Sequence, residues 1–223
     1  MELKVATFDC YGPLIDWEGG AASFLYSLAR RFEPDPPAGR VLRQRWEEIQ
    51  FGLLQGEYAP YREVLASSLR AWAGERGFQP PDDAAESFAL SMESWQPFPD
   101  TVPALRAARD AGLRLWIISN TDRAIMGHSL RHLEVEFDGV TVAEDCHTYK
   151  PSTVPFEQAL GEIELPPDQI LHVAFGFKYD IGPAQRLGMP TAWVNRKQEA
   201  APGPEQADHV CKDLWPLAGV AGG

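Results

Sequence analysis

Short apolar segments that end in polar residues recur along this chain, and they constrain its fold more than any other feature. The first segment, residues 3–8, is rich in β-forming residues and leads directly into the acid Asp9, followed by the turn residues Gly12 and Pro13. Open parallel sheets place their binding and catalytic groups at the carboxyl ends of such strands. Asp9 is therefore a candidate functional residue, with a turn-capping role as the alternative.

Helices and strands alternate in the pattern of residues 97–223. Strands are predicted at 113–118, 140–142, 170–175 and 191–195, with a possible edge strand at 208–210. The segments between them predict helices at 101–111, 124–133, 153–163 and 181–187. Alternation of this kind specifies a parallel sheet with helices on both faces.

Residues 17–95 have a different character, because helical patterns separated by proline-rich joints fill them and no strand is indicated. Helices are predicted there at 21–32, 40–52, 61–74 and 84–95. We therefore predict an α/β fold, in which a doubly wound parallel sheet (a Rossmann-like core) is formed by residues 1–16 and 97–223. Residues 17–96 are predicted to form an inserted helical cap domain.

The composition is that of an ordinary globular protein, with 44% hydrophobic and 23% charged residues among 223. A net charge of −12 argues against nucleic acid as a partner, because phosphates require a basic face. A small anionic organic substrate is compatible with this charge only if a local cationic group receives it.

The cysteines Cys10, Cys146 and Cys211 are widely spaced and form no CxxC motif, which favours neither a disulfide framework nor a zinc site. The sequence shows no signal peptide and no apolar run of membrane-spanning length. We therefore expect a cytoplasmic protein without a membrane partner, either a monomer or a homodimer.

Polar residues also follow three later strands. Ser119 and Asn120 end the second strand, Lys150 precedes a proline after the third, and Asp180 lies beyond the fourth. From the residue types alone, Lys150 could be a solvated lysine and Asp180 a helix cap. Ser119, Asn120 or Asp122 could likewise cap the helix that follows them.

Taken in order, these groups resemble the four motifs of the haloacid dehalogenase (HAD) superfamily: Asp9, Ser119-Asn120, Lys150-Pro151 and Asp180. The resemblance implies a HAD-like hydrolase in which Asp9 is the nucleophile. It also implies that Lys150 holds this nucleophile and neutralises the substrate's anion, while Ser119 and Asn120 bind substrate.

The residue two positions after the nucleophile separates branches of this superfamily. Its phosphatases carry a second aspartate there, which acts as general acid, whereas this chain has Tyr11. Residues 9–16 resemble the Asp-x-Tyr-Gly-Thr-Leu-x-Asp of the 2-haloacid dehalogenases. Halide leaves without a proton, so a general acid can be dispensed with. Tyr11 is then expected to line the substrate pocket, or alternatively to pack beneath the cap.

The residues at the end of the fourth strand indicate whether the site can bind a metal ion. Phosphatases of the superfamily place a Gly-Asp pair there, and its acid binds Mg²⁺, whereas this chain has Ala174 and Phe175. The resemblance therefore implies chemistry without metal or other cofactor, in which Asp180 orients Lys150 or the hydrolytic water. His172, within the same strand, is interpreted as a packed core histidine.

The chain departs from the dehalogenase pattern at several positions, among them Pro13 in place of a threonine and Phe156 in place of a tyrosine. A phenylalanine-rich loop, residues 175–177, replaces a serine and an asparagine, and Trp46 is followed by Glu47 where an arginine grips the substrate. Arg43 or Arg45 could replace that arginine, and we assign Arg45 to substrate binding.

The preferred hypothesis is a 2-haloacid dehalogenase-like enzyme that cleaves carbon–halogen bonds of short 2-halocarboxylates through an aspartyl ester. The alternatives are a Mg²⁺-dependent phosphatase of small phosphomonoesters and a catalytically weak binding protein with the same fold.

Overall fold

The structure is a computed structural model that describes residues 2–203 and 206–220. Within these residues the strands form one sheet of six, in the order β3-β2-β1-β4-β5-β6. Every neighbouring pair is parallel, which confirms the predicted parallel sheet. The strands are β1 (Val5–Phe8), β2 (Arg114–Ser119), β3 (Gly139–Val142), β4 (Ile170–Ala174), β5 (Thr191–Val194) and β6 (His209–Cys211).

The central strands are buried throughout because helices cover both faces of the sheet. All residues of β1 and β4 are buried, so neither strand shows the polar alternation of a half-exposed sheet. Phe8 is aligned with Ile117 on one side and with Val173 on the other. The three strands therefore end side by side, and the residues that follow them share one edge of the sheet.

The predicted helices appear in the predicted order with shifts at their ends, and two short ones, Ala143–Cys146 and Leu217–Val220, were not predicted. They are α1 (Trp17–Ala29), α2 (Gly39–Leu54), α3 (Tyr61–Glu75), α4 (Ala84–Ser91), α5 (Thr101–Asp110), α6 (Arg123–Leu133), α7 (Ala143–Cys146), α8 (Val154–Ile163), α9 (Gly182–Arg186) and α10 (Leu217–Val220). Helix α1 begins earlier than predicted because the Asp16 carboxylate caps it, accepting a hydrogen bond from the backbone N–H of Gly19 at 3.0 Å. Helix α4 ends at Ser91 and continues only as a 3₁₀ turn, Met92–Ser94. No helix of the described residues is long and apolar enough to cross a membrane.

The named elements from Trp17 to Ser94 are all helical, as the sequence predicted, and they lie between β1 and β2 in the chain. Trp46, Trp72 and Phe88 are fully buried among them. Their status as a separate cap domain with the bounds 17–96 stays a prediction.

A carboxylate joins these helices to the sheet edge. Asp122, in the loop after β2, accepts hydrogen bonds from the backbone N–H groups of Tyr61 at 2.8 Å and Arg62 at 3.0 Å. It therefore satisfies the first turn of α3, where a negative charge also complements the helix dipole. Although Asp122 precedes α6, its side chain does not cap that helix.

The turn after β1 depends on a glycine. Gly12 has φ = +127°, and a Cβ at this position would lie 2.9 Å from the Cβ of Phe175. Both the backbone conformation and the close approach therefore exclude a side chain. The packing fixes the loop after β4 against the loop that carries Asp9.

We expect Gly12→Ala to destabilise the protein by at least about 2 kcal/mol, since backbone strain adds to overpacking against Phe175. Gly77→Ala is the matched control, because Gly77 has φ = +81° but open space around it. Its cost should be about 1 kcal/mol, from strain alone. Urea unfolding of both variants measures the difference, and equal destabilisation would contradict the close packing of Phe175.

Candidate active site

Asp9 extends the ladder of β1 by one residue. Its N–H donates to the carbonyl oxygen of Val173 at 3.1 Å, after which the chain turns and the carbonyl of Cys10 accepts from Leu14 and Ile15. This turn leaves the Asp9 side chain 14% exposed at the carboxyl edge of the sheet. The acid is thus fixed by backbone hydrogen bonds on both sides, as a reacting group requires.

Lys150 lies beneath this carboxylate with only 1% of its side chain exposed. Its ammonium donates to Asp9 Oδ1 at 3.0 Å, to Asp180 Oδ1 at 2.6 Å and to the carbonyl oxygen of Ile118 at 2.8 Å. An ammonium has three protons, so these acceptors use all of them. Burial alone would lower the pKa of Lys150, but the charges of Asp180 and Asp9 outweigh burial and raise it above its usual value.

Asn120 positions Lys150 through its backbone. The amide nitrogen donates to the carbonyl oxygen of Lys150 at 3.0 Å, and the amide oxygen accepts from the N–H of Lys150 at 2.7 Å. Asn120 also lines the cavity, as expected of a substrate contact. Its side-chain amide, however, is already occupied by this pair of hydrogen bonds.

Asp180 sits in a single π-helical turn, Phe177–Ile181, that separates β4 from α9. The alternative role of Asp180 as a helix cap does not hold, because Asp180 lies inside this turn rather than at the start of α9. Its carboxylate is 1% exposed and contacts His172 as well as Lys150. Burial acts to raise the pKa of Asp180, but Lys150 and His172 outweigh burial and lower it, so Asp180 stays ionised.

His172 is buried, as predicted for a core histidine, but it also belongs to the site. Its Nε2 lies 3.3 Å from Asp180 Oδ1, and its Nδ1 lies 2.8 Å from the hydroxyl of Thr7. Burial lowers the pKa of His172, which keeps the ring neutral. A neutral ring that accepts from Thr7 donates its Nε2 proton to Asp180. The only sequence signal for this role was a histidine in an apolar strand eight residues before the acid.

The pKa of Asp9 moves in the opposite direction from that of Asp180. Burial raises the pKa of Asp9 to about 7, and the charge of Asp180 adds to this rise. The Coulombic attraction of Lys150 opposes it without reversing it. The two carboxylates that share one ammonium are therefore unequal: Asp180 is the permanent counter-ion, and Asp9 titrates near neutrality.

A cavity of about 130 Å³ opens above Asp9, and many of the residues that line it are aromatic. Asp9, Ser119, Lys150 and Asp180 line it where it meets the sheet edge. Its aromatic walls come from the inserted helices and from the loops after β1 and β4: Tyr11, Trp17, Trp46, Tyr61, Trp95, Phe175 and Tyr179. The predicted Asp9, Tyr11, Ser119, Asn120, Lys150 and Asp180 therefore meet at one cavity.

Tyr11 and Ser119, which were both predicted to contact substrate, differ in whether their hydroxyl groups are free to bind a ligand. The Tyr11 hydroxyl is hydrogen-bonded to Ser129 Oγ at 2.7 Å, and its ring lies edge-on to Trp95, so Tyr11 is a wall of the cavity. The Ser119 hydroxyl is buried and has no hydrogen-bond partner among the described residues. It is free to bind a ligand.

Arg45 is not part of this cavity. Its side chain is 53% exposed and bonds to Glu48 and Glu75 on the outer surface. The assignment of Arg45 to substrate binding does not fit this placement, because adjacent helix residues point about 100° apart and Trp46 faces inward. Arg43 is buried, but it pairs with Glu18 and Glu47.

These residues do not fit a Mg²⁺ ion. Among residues 2–203 and 206–220 no group of three or more histidine, cysteine or acidic side chains could hold a metal. The two acids that face each other, Asp9 and Asp180, are joined by the Lys150 ammonium, which occupies the place of a cation. Phe175, at the end of β4, offers no oxygen ligand from its side chain.

We expect Lys150→Met to destabilise the fold by about 3 kcal/mol, because Asp9 and Asp180 would remain buried without their counter-ion. The double variant Lys150→Met/Asp180→Asn should be more stable than Lys150→Met alone, since one orphaned charge is removed. Lys4→Met, at an exposed lysine, is the control. Chemical unfolding at neutral pH measures all three, and Lys150→Met as stable as Lys4→Met would contradict the buried ion pair.

Comparisons with known proteins agree with this geometry. A family model described as haloacid dehalogenase-like hydrolase matches residues 3–188. The (S)-2-haloacid dehalogenase of Pseudomonas putida is 26% identical over 86% of this chain and 85% of its own length. Haloacetate dehalogenase H-2 of Moraxella sp. (strain B) is 25% identical over 87% of each chain.

Solved structures show the same fold. The L-2-haloacid dehalogenase of Xanthobacter autotrophicus superposes with a TM-score of 0.83 at 22% identity, covering 99% of each chain. A magnesium-bound HAD hydrolase, YfnB of Bacillus subtilis, gives 0.83 at 17% identity, also over 99% of each chain. With the family model spanning both the loop that carries Asp9 and the π turn, the chain belongs to the haloacid dehalogenase-like hydrolase family.

Proposed function

We propose that this protein is a hydrolytic dehalogenase in which Asp9 displaces halide from an sp³ carbon. The observation that carries the proposal is the Asp9 carboxylate at the base of an aromatic cavity, with one oxygen held 3.0 Å from the Lys150 ammonium. The names of relatives support the leaving group, since the curated proteins of Pseudomonas putida and Moraxella are dehalogenases.

In the first step a carboxylate oxygen of Asp9 attacks the carbon that bears the halogen. The carbon–oxygen bond forms as the carbon–halogen bond breaks, and halide leaves with the bonding electron pair. This step needs no proton. Tyr11 supplies none, because burial raises its pKa well above the usual value and its hydroxyl is bonded to Ser129.

In the second step water attacks the carbonyl carbon of the aspartyl ester. The alcohol product leaves, the Asp9 carboxylate is restored, and a proton is released. Asp180 lines the cavity and remains ionised, so it is the proposed acceptor of the water's proton. Lys150 stabilises the oxyanion that forms on the ester carbonyl, and Thr7 and His172 hold Asp180 in place.

We expect Asp9→Asn to lower the rate of bromide release by at least about 10³-fold, because the nucleophile is lost. The assay uses 2-bromopropionate and 2-bromopropionamide with EDTA present. Asp110→Asn, at an exposed acid on the far end of α5, is the matched control and should keep the wild-type rate.

Two outcomes would contradict the dehalogenase proposal. Wild-type bromide release by Asp9→Asn would exclude Asp9 as nucleophile. Absent bromide release together with Mg²⁺-dependent hydrolysis of an aryl phosphate would instead support the phosphatase alternative, and no turnover of either class would support a binding protein.

The pH dependence follows from the raised pKa of Asp9. The charged carboxylate is the nucleophile, so protonation below about pH 7 removes it. We expect kcat/KM to fall by about tenfold per pH unit below 7, and to be level above it until another group titrates. A profile measured between about pH 5 and pH 9 tests this, and constant kcat/KM down to the acid limit would contradict it.

A further inference from the structure

The cavity of the proposed dehalogenase carries more negative than positive charge. Three carboxylates line it, those of Asp9, Glu47 and Asp180, against one cation, Lys150. No arginine and no second lysine lines it among residues 2–203 and 206–220. A ligand that enters with a negative charge is therefore repelled at short range, in a site whose aromatic walls screen charge poorly.

The single cation has no proton left for a ligand. The three protons of Lys150 are taken by Asp9, Asp180 and the carbonyl oxygen of Ile118. A carboxylate on the substrate could bind Lys150 only by displacing one of these acceptors. The carboxylates of Asp9 and Asp180 already surround the ammonium, so it attracts a further anion only weakly.

The neutral side-chain amides at the cavity are partly occupied. The side-chain amide of Asn120 binds the backbone of Lys150, and the amide nitrogen of Gln50 donates to the Tyr61 hydroxyl at 3.1 Å. Beside Asp9, the buried hydroxyl of Ser119 lines the cavity without a hydrogen-bond partner among the described residues. One hydroxyl can bind a neutral carbonyl or amide but leaves a carboxylate largely unsatisfied.

The charges behind the cavity wall balance one another, so they leave the excess of Asp9 and Asp180 over Lys150 unchanged. Arg43 is 7% exposed and is held between Glu18, at 2.7 Å, and Glu47. Its guanidinium carbon lies 5.2 Å from the centre of the Trp17 ring. The Trp17 ring lines the cavity, whereas Arg43 does not. Lys197 also pairs with Glu18, so Arg43 and Lys197 together balance Glu18 and Glu47.

We propose that the substrate is an uncharged organic halide, with an apolar or aromatic body and a neutral polar group such as an amide, rather than a free 2-halocarboxylate. This proposal rests on the dehalogenase function for its leaving group. It replaces the small anionic substrate expected from the sequence. The aromatic walls receive the apolar body, and the Ser119 hydroxyl binds the neutral carbonyl.

The reaction balances without another reactant. With a 2-haloamide, the Asp9 oxygen bonds to C2 as halide leaves with its electron pair, and water then releases the 2-hydroxyamide and a proton. The amide bond remains intact throughout. Only water is consumed.

A binding experiment that needs no chemistry tests the charge preference. Phenylacetamide and phenylacetate have nearly the same shape and differ by one charge, and Trp17, Trp46 and Trp95 in the cavity provide a fluorescence signal. We expect phenylacetamide to bind at least about tenfold more tightly at pH 8, where Asp9 is ionised. Phenylacetate binding as tightly as phenylacetamide, or no binding of phenylacetamide at millimolar concentration, would overturn the proposal.

Glu47→Gln should reduce the difference in affinity between phenylacetamide and phenylacetate, since it removes one negative charge from the cavity wall. Glu48→Gln is the matched control: Glu48 is the next residue on α2, is 66% exposed and pairs with Arg45 outside the cavity. Glu48→Gln should prefer phenylacetamide over phenylacetate by the same factor as the wild type. An unchanged preference in Glu47→Gln would contradict an electrostatic origin.

The two proposals fail separately. Phenylacetamide preference without bromide release from either bromide would support the uncharged ligand and refute the nucleophilic role of Asp9. Bromide release from 2-bromopropionate with a kcat/KM equal to that of 2-bromopropionamide would keep the dehalogenase function and overturn the substrate class proposed here.

Discussion

The buried ammonium of Lys150, shared by two carboxylates, is the interaction on which the rest of the site depends. Taking one cation and two anions out of water is costly unless each is paired and hydrogen-bonded. Here the Lys150 side chain is 1% exposed and all three of its protons are used. The cluster still has a net negative charge. Burial raises the pKa of Asp9, the charge of Asp180 adds to this rise, and the excess of negative charge makes the cavity unfavourable for anions.

The fold can maintain this cluster because each member comes from a different element at one edge of the sheet. Asp9 directly follows β1, β2 provides the Ile118 carbonyl, and β4 carries His172. The π turn then brings Asp180 over His172, while Asn120 fixes the backbone of Lys150. Because the parallel strands end in register, no long loop has to be ordered to assemble the site.

The sequence predicts the sheet and the meeting of Asp9, Lys150 and Asp180, since apolar strands that end in polar residues converge at one edge. It could not predict side-chain direction. Asn120 was expected to bind substrate, yet its amide is used by the backbone of Lys150. Arg45 was chosen for its proximity in sequence to Trp46, but one residue on a helix turns the side chain to the outer surface.

The role of His172 could not be predicted from the sequence for a different reason. A histidine in an apolar strand has the burial of a core residue, and only the three-dimensional contact with Asp180 reveals its second role. The charge balance of the cavity also cannot be predicted from the sequence, because it depends on which acidic and basic side chains face inward. Arg43 is close to Glu47 in sequence, but only Glu47 lines the cavity.

The most direct measurement of the central claim is a single turnover in ¹⁸O-labelled water, with enzyme in excess over a substrate that releases halide. If Asp9 forms the ester, the water oxygen enters Asp9, so the peptide that contains it gains the label while the first product stays unlabelled. Label in the first product, with an unlabelled Asp9 peptide, would mean that water attacks the carbon directly and would contradict the nucleophilic role of Asp9.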